Sequence, residues 1–492
     1  MANISKNQKK IFNIRFIKIL LAIILFGALV AAACLVNYDY VLKISLIVLS
    51  VAAFVLCMFE IFAVIEQILY YDSLTEIPNR NYVGKQLEKK HSQNKLYQYS
   101  LFFINLKDCR FYNQIYGASK TDEILISYAQ TLFDYSENNH GICARIGGDN
   151  FVVVIPNYQS KKLLDFIQGI SVEIEFEGQM IKRDLPSRVG ITNLANYTSP
   201  HNVILYSTLA LIAARQKGVD YEFFSTDMLD NYTKERNLVE EIKQALKNDE
   251  FIPYYQPLVN SKTHVMSGAE ALARWVQGET VIEPEDFIPI MERNGLIEEL
   301  DLRIFAHVCQ DICDWQDGGL LPVCVSTNFS KKHLTNPDFV KRLKDIKNHY
   351  EVPDKFLAIE ITEASNVKDM ATARKLAAEL KESDMKLAID GFDTGFASLS
   401  MLNQFEIDEV KINKSFLDHC FEYNDKGKQF LIDTINIVKN QGVKVVFEGV
   451  ETKEQYEFLA KHNCDFIQGF FFAPPLTSED FKTKLMNPKF RT

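Results

Sequence analysis

Hydrophobic patterning changes character twice along this chain. From Ile19 to Val36 no polar residue occurs, roughly the 18 residues that a membrane-crossing helix needs, and Ile44 to Val64 forms a second apolar run broken mainly by Glu60. From Asp72 to about Thr226 short apolar runs alternate with amphipathic ones. Ser100 to Leu106 and Phe151 to Pro156 read as strands, the second after a Gly147-Gly148 turn. Asp122 to Tyr135 reads as an amphipathic helix, and Lys161 to Ile174 as a further helix and strand. Met228 to Asn248 is charged and helical, with Leu238, Ile242 and Leu246 four apart, which suits either a signalling helix or a passive spacer.

The remainder repeats one motif, a β-branched, apolar run that stops at a lone acid, amide or lysine. Val265 to Ala269 leads into Glu270, Val323 to Thr327 into Asn328, Phe356 to Ile359 into Glu360, and Lys386 to Ile389 into Asp390. Val410 leads into Lys411, Val443 to Phe447 into Glu448, and Phe466-Ile467 into Gln468. Helical-looking stretches separate the runs. The alternation predicts a parallel sheet, and polar groups gathered where strands end predict an active site at the carboxyl face of a (β/α) barrel. Any one of these residues alone reads as a strand end or a helix cap; in register they read as a site. Glu270, Glu360, Asp390 and Glu448 would repel one another unless positive charge sat between them, which makes a divalent metal the natural filling. Lys411 among them points to an anionic substrate.

Length, charge and cysteine usage narrow the class. The 492 residues suit about three domains, and the patterning divides the chain into three such parts and a linker. These are a two-helix transmembrane hairpin over 1–70, a mixed α/β domain over 71–226, a linker helix over 227–248 and the barrel over 249–486. A net charge of -10, from 54 Lys+Arg against 64 Asp+Glu, argues against broad adhesion to DNA or RNA and leaves a pocket-bound nucleotide open. The nine cysteines form no CxxC pair or Cys/His cluster, as in a reduced cytosolic protein, and Cys309 and Cys313, one helical turn apart, suit packing. Lys6, Lys9, Lys10, Arg15 and Lys18 flank the first apolar run, while the turn from Asn37 to Lys43 holds only Lys43. Both ends of the hairpin are therefore expected in the cytoplasm, with the lipid bilayer as a partner and a multi-pass place in the cytoplasmic membrane. A cleaved lipoprotein signal ending at Ala33-Cys34 would leave the second span and the same placement. Glu60, near the end of its span, suits snorkelling.

Several stretches of the middle segment together resemble the GGDEF domain, the family of diguanylate cyclases. They are Asp72-Ser73-Leu74-Thr75 with Pro78-Asn79-Arg80, Asn113-Gln114-Ile115-Tyr116-Gly117, Asp122, and Ala144-Arg145-Ile146-Gly147-Gly148-Asp149-Asn150-Phe151. The resemblance implies that the positions holding divalent metal in active members are Asn105, Lys107 and Asn150 here. Two amides and a cation do not form a carboxylate cage, so the resemblance implies a degenerate domain without cyclase activity. Asn113 and Asp122 match the family's guanine-reading pair, which implies that GTP could bind as a regulator. The family's inhibitory product site falls on Asn138 to Gly141 and lacks its Arg-x-x-Asp.

The barrel segment resembles the EAL family of cyclic di-GMP phosphodiesterases. The residues that carry this are Tyr255-Gln256-Pro257, Glu270-Ala271-Leu272-Ala273-Arg274-Trp275, Phe287-Ile288-Pro289 with Glu292, Asn328-Phe329-Ser330 and Glu360-Ile361-Thr362-Glu363. Lys411-Ile412-Asn413, Glu448-Gly449-Val450-Glu451-Thr452 and Gln468-Gly469 complete the set. The resemblance implies that Glu270, Asn328, Glu360 and Asp390 hold a first Mg2+ or Mn2+. It implies that Lys411 positions the attacking water, that Glu448 completes the acid/base set with Glu270, and that Arg274, Gln256 and Gln468 hold substrate or support the site. The product would be the linear dinucleotide pGpG, and a homodimer is the expected assembly. Two departures fall on the side of the second metal: Gly391 stands where the family carries a second aspartate, and Asn413 where it carries another. Asp393, in place of a family glycine, could swing a carboxylate into the gap. The readings left are a membrane-anchored phosphodiesterase regulated by its degenerate GGDEF domain, and an impaired receptor that binds cyclic di-GMP or GTP and signals to a partner.

Overall fold

The computed structural model describes residues 40–176, 178–196, 202–362, 370–392 and 406–490, together with Leu402 and, near the start, 18, 19, 21 and 23–32. Two compact units divide the chain, Met1–Lys234 and Glu235–Thr492.

In the first unit, α1 (Tyr40–Tyr70) is one unbroken helix, and its 27 residues from Ile44 to Tyr70 are long and apolar enough to cross a membrane. Leu56, Phe59 and Phe62 are 65%, 70% and 65% exposed, so the protein itself covers little of this surface. The first apolar run is helical over Ile23–Ala32. Phe26 lies 5.8 Å from Phe54, and Lys18 Nζ lies 3.9 Å from Glu60 Oε1, which gives the acid inside the apolar run a cationic neighbour. Of the expected turn from Asn37 to Lys43, residues 37–39 lie outside the described residues, and Tyr40 to Lys43 already belong to α1.

The helix α2 (Arg80–Ser92) docks its start on the end of α1. Asn79 caps α2 by accepting from Asn81 N and Tyr82 N, while the Nδ2 groups of Asn79 and Asn81 donate to Leu69 O at 3.0 and 3.1 Å. Carbonyls in the last turn of a helix have no N–H of their own helix to accept from, and here the next helix supplies donors.

The unit continues with β1 (Tyr99–Leu106), α3 (Cys109–Asn138), β2 (Ile142–Gly147), β3 (Asn150–Pro156), α4 (Ser160–Gln168), β4 (Ser171–Phe176), β5 (Gln179–Asp184), β6 (Ser187–Asn193), α5 (Val203–Gln216) and β7 (Tyr221–Phe223). Its main sheet runs β2-β3-β1-β6-β7. Alternate residues of β1 serve opposite layers. Phe102 and Ile104 pack with Tyr128 of α3 and Leu163 of α4, while Leu101 and Phe103 pack with Val83 of α2 and Leu211 of α5. The helix expected from Asp122 starts upstream at Cys109 and breaks at Gly117, whose φ of 78° interrupts the helical path.

The helix α6 (Thr226–Lys247) ends within the second unit. Ile242 and Leu246 are buried in the barrel core and Leu238 packs against it, so the four-residue apolar spacing belongs to barrel packing and the end of this helix is no passive spacer. The barrel strands are β8 (Phe251–Asn260), β9 (Met266–Gln277), β10 (Thr280–Ile282), β11 (Cys324–Phe329), β12 (Leu357–Thr362), β13 (Lys386–Asp390), β14 (Glu409–Ile412), β15 (Lys444–Phe447) and β16 (Phe466–Ile467). The sheet closes in the order β9-β11-β12-β13-β14-β15-β16-β8, with β8 returning to β9 and β10 outside as a short edge. Helices α7 (Pro284–Asn294), α8 (Ile297–Asp317), α9 (Phe339–His349), α10 (Met370–Lys381), α11 (Lys414–Glu422), α12 (Asn424–Asn440), α13 (Lys453–Lys461) and α14 (Ser478–Met486) fill the connections and the chain end.

Two expectations are corrected. The sheet is not wholly parallel, because β8 is antiparallel to both β9 and β16. Glu270 does not end its strand. β9 pairs with β11 only from Gly268 to Ala271 but with β8 as far as Trp275, so the β8-β9 hairpin carries the strand onward past the acid.

Candidate active site

Strand register assembles the polar residues. Pairing of β11 with β12 sets Asn328 beside Glu360, and pairing of β9 with β11 sets Glu270 beside Ser326. Lys411 projects from β14, while Glu448 and Gln468 directly follow β15 and β16. The result is one cluster. The Lys411 ammonium, 1% exposed, lies 2.5 Å from Glu270 Oε2, 2.6 Å from Glu360 Oε1 and 2.7 Å from Glu448 Oε1, so each of its N–H groups has a carboxylate. Asn328 Nδ2 donates to Glu270 Oε1 at 2.6 Å, and Gln468 Nε2 donates to Glu270 Oε2 at 2.8 Å and to Gln256 Oε1 at 3.0 Å. Gln256 Nε2 donates in turn to Ala473 O at 3.3 Å. Gly469, next to Gln468, has a φ of 157°, and a Cβ there would lie 2.2 Å from Val450 O, so only glycine lets the chain pass this close.

The charges settle each other's protonation. Burial works against ionisation of Glu270, but Lys411 and the amide donors outweigh it and hold the carboxyl below its usual range. Burial and the Glu270 charge push Glu360 well up, against the pull of Lys411. Burial raises Asp390 and takes Glu448 up to about 7. Burial disfavours the Lys411 cation, yet the surrounding acids hold its pKa well above the ordinary lysine value. The positive charge demanded by the facing carboxylates is thus supplied in part by the chain itself.

The donor set also fits a divalent ion. Oxygens of Glu270, Glu360 and Glu448 come within 4.8 Å of one another. Glu360 Oε2 and Gln468 Oε1 are buried without a hydrogen-bond partner among the described residues. Hard carboxylate and amide oxygens suit Mg2+ or Mn2+.

Other expected residues stand apart from the cluster. Asp390, at the end of β13, joins it by charge, with the Gly391 N–H donating to its carboxyl. Arg274, 8% exposed, holds its Nε 3.2 Å from Glu283 Oε2, donates from Nη1 to Ala273 O and lies 5.7 Å from the Tyr254 ring centre. Glu283 was not singled out in the sequence, and its only signal there is its place before Pro284. Asn413 caps α11, accepting from Phe416 N at 3.0 Å and from Ser415 Oγ at 2.8 Å. Gly391 has a φ of 73°. Asp393 and Glu363 lie outside the described residues. A buried pair that sequence reasoning missed supports the Asn328 strand end: Asp301 Oδ2 accepts from Ser330 N at 2.8 Å and lies 3.1 Å from His333 Nε2.

In the first unit the expected metal positions are amides bonded to each other. Asn105 Nδ2 donates to Asn150 Oδ1 at 3.0 Å, and Arg215 Nη2 donates to Asn105 Oδ1 at 3.2 Å. Lys107 Nζ pairs with Asp220 Oδ1 at 2.5 Å. Asn113 and Asp122 both lie on α3, on either side of the Gly117 break, the first exposed and the second half-buried.

Comparison with known proteins assigns both segments. Residues 69–220 match the family described as diguanylate cyclase, GGDEF domain, and residues 239–475 match the EAL domain. The chain is 29% identical to the signaling protein YkoW of Bacillus subtilis, over 85% of this chain and 53% of that one. It is 26% identical to the bifunctional diguanylate cyclase/cyclic di-GMP phosphodiesterase MucR of Pseudomonas aeruginosa, over 84% of this chain and 61% of that one. The chain thus spans between half and two thirds of the length of these curated relatives. Among solved structures, the MucR phosphodiesterase in complex with c-di-GMP is 27% identical, with a TM-score of 0.47, covering 50% of this chain and 99% of that one. An EAL domain protein from Listeria monocytogenes is 29% identical, with a TM-score of 0.45, covering 50% and 96%.

Proposed function

This chain carries a GGDEF domain and an EAL domain in tandem, and from that premise we propose that its barrel is a cyclic di-GMP phosphodiesterase that opens the cyclic dinucleotide to pGpG. The observation that carries the reading is Lys411 on β14, enclosed by Glu270 of β9, Glu360 of β12 and Glu448 just after β15. Glu270, Asn328, Glu360 and Asp390 would hold a magnesium or manganese ion, which when bound supplies charge neutralisation and a water acidic enough to be deprotonated near neutral pH. Lys411 orients the attacking oxygen and faces the charge that develops on the phosphate. Glu448, with a pKa raised to about 7 by burial, is suited to take a proton from water and return it to the leaving 3′ oxygen. Gln468 and Gln256 fix Glu270 through hydrogen bonds. Arg274 exchanges Glu283 for the phosphate that is not cut.

The Asn105–Asn150 pair supports a GGDEF domain without cyclase activity, which regulates the barrel and holds GTP, if at all, at Asn113 and Asp122. The apolar helix and the contacts of Phe26 and Lys18 support a two-helix hairpin in the membrane; the cations flanking the first run favour a cytoplasmic side for both domains, and a homodimer is part of the same proposal. A second reading, a receptor that binds cyclic di-GMP without cutting it, draws on Gly391 and on Asn413, whose side chain is committed to capping α11.

The deciding experiment incubates the full chain with cyclic di-GMP and magnesium or manganese and follows pGpG. Product is expected, and its loss in Glu270→Ala is expected. Tight binding with no product under either metal selects the receptor. Loss of residual hydrolysis in Asp393→Ala would identify that residue as the stand-in for the carboxylate missing at Gly391.

A further inference from the structure

A cavity of about 490 Å³ sits where α1 meets α2, lined by Tyr70, Arg80, Asn81, Lys85, Glu88 and Ile204 among others. Its chemistry is unlike the chain as a whole. The protein carries a net charge of -10, yet α2 holds Arg80, Lys85, Lys89 and Lys90 against Glu88 alone. Arg80 and Lys85 form no ion pair among the described residues, and the Lys85 ammonium rests 4.4 Å from the Tyr70 ring centre. Tyr70 is also the last residue of the apolar helix, whose Ile68 and Leu69 are 66% and 47% exposed right beside the cavity. Tyr71 and Tyr82 extend an aromatic group there, with ring centres 6.2 Å apart. An apolar surface that ends in tyrosines and continues into Arg80 and Lys85, neither ion-paired among the described residues, is the order of environments met on leaving a bilayer.

We propose that this cavity seats the phosphodiester headgroup of an anionic phospholipid, with Arg80 and Lys85 as its two cationic contacts and Tyr70 as its wall. The proposal rests on α1 being a membrane span and goes beyond it. A span needs only hydrocarbon, whereas this cavity selects lipid by charge at one place. The headgroup bridges the end of α1 and the first helix of the GGDEF domain, two elements already tied by Asn79 and Asn81 to Leu69 O. Guanidinium suits a phosphate through paired N–H groups, and the lysine adds a point charge.

The test titrates the full chain in neutral detergent micelles with phosphatidylglycerol or phosphatidylcholine and counts bound lipid by native mass spectrometry. Phosphatidylglycerol is expected to bind at one site that phosphatidylcholine does not fill. Arg80→Gln/Lys85→Gln is expected to weaken it roughly thirtyfold, about 2 kcal/mol at ~1 kcal/mol per basic side chain. Lys89→Gln/Lys95→Gln removes the same charge from exposed positions outside the cavity lining, and is expected to leave that site within about threefold of the parent. Equal weakening by both pairs, equal binding of phosphatidylcholine, or equal occupancy by free inorganic phosphate overturns the proposal. A chain that floats with vesicles yet shows one of those outcomes keeps its membrane span and loses this site; a chain that does not associate with vesicles at all loses both.

Discussion

Lys411 Nζ and Glu360 Oε1 meet at 2.6 Å with the two side chains 1% and 0% exposed, a contact that water does not share. Taking one partner from a buried ion pair leaves the other charge uncompensated, at a cost of about 3–5 kcal/mol. Lys411→Met is therefore expected to lower the melting temperature of the metal-free protein, to recover part of the loss when manganese is added, and to abolish hydrolysis. Melting curves in chelator and in manganese check this. Unchanged curves in chelator would mean that the carboxylates do not depend on the lysine.

The raised acids predict how metal binding responds to pH. Glu448 is pushed up to about 7, first by burial, so below neutrality its carboxyl holds a proton that an incoming cation must displace, and Glu360 is shifted in the same direction by burial and the Glu270 charge. Apparent manganese affinity is expected to rise with pH and to flatten above about 7 as Glu448 becomes ionised. The sign for folding is the opposite. A carboxyl whose folded pKa exceeds its unfolded one favours the fold fully below about 4.5, and that contribution is lost as pH climbs through about 7. Calorimetric titrations in buffers of different ionisation enthalpy measure the protons released. Release that does not vary across this range counts against the assignment.

Much of this site was legible in the sequence because a strand residue has only two directions to face. Once Glu360, Asp390 and Gln468 follow apolar runs in strands of one sheet, barrel closure brings them to one rim. Direction was not legible. Nothing in the run from Phe251 to Asn260 marks its direction, and its pairings with β9 and β16 show that it runs against the rest. The same hairpin hid the mid-strand place of Glu270. Pair choices between distant residues were also silent, as with Arg274 and Glu283 or Asp301 and His333, since nothing local marks either partner. The capping role of Asn413 had a local signal, an amide at the position before a helix. The sequence marks Lys411 as a partner for anions, and the structure shows which anions of its own chain it meets, Glu270, Glu360 and Glu448.

Gly391 tests whether lost chemistry can be returned. Its φ of 73° is left-handed, a region that aspartate tolerates better than most residues, and a Cβ there meets nothing within 4 Å. Gly391→Asp is expected to fold, at a cost of about 1–2 kcal/mol for the left-handed backbone. It is expected to raise manganese-dependent turnover at least about tenfold, the lower bound for changes to the groups around a metal. Rates of pGpG formation at saturating manganese decide the matter. A correctly folded variant with the parent's rate would show that the second carboxylate is not what limits this site.

Asp72 and Arg145 tie the segment that follows α1 to the Gly147-Gly148 turn. The Asp72 carboxylate accepts from Thr75 N at 2.9 Å, Thr75 Oγ1 at 2.8 Å and Arg145 Nη1 at 2.8 Å, while Arg145 also donates to Gly148 O at 2.7 Å. Burial alone would raise this acid, but the Thr75 and Arg145 donors outweigh it and hold the pKa below its usual value. A depressed folded pKa adds stability above the unfolded value, ~3.9, and the addition disappears as pH falls through the folded one. Asp72→Asn is therefore expected to destabilise the GGDEF domain at neutral pH, where the charge is fully present. Its unfolding midpoint should converge with that of the parent only as pH falls through the depressed folded pKa of Asp72, since both then present a neutral side chain to Arg145. Denaturant titrations at neutral and acid pH read the difference directly. Midpoints separated by the same amount at both would mean that the carboxylate's shape matters there and its charge does not.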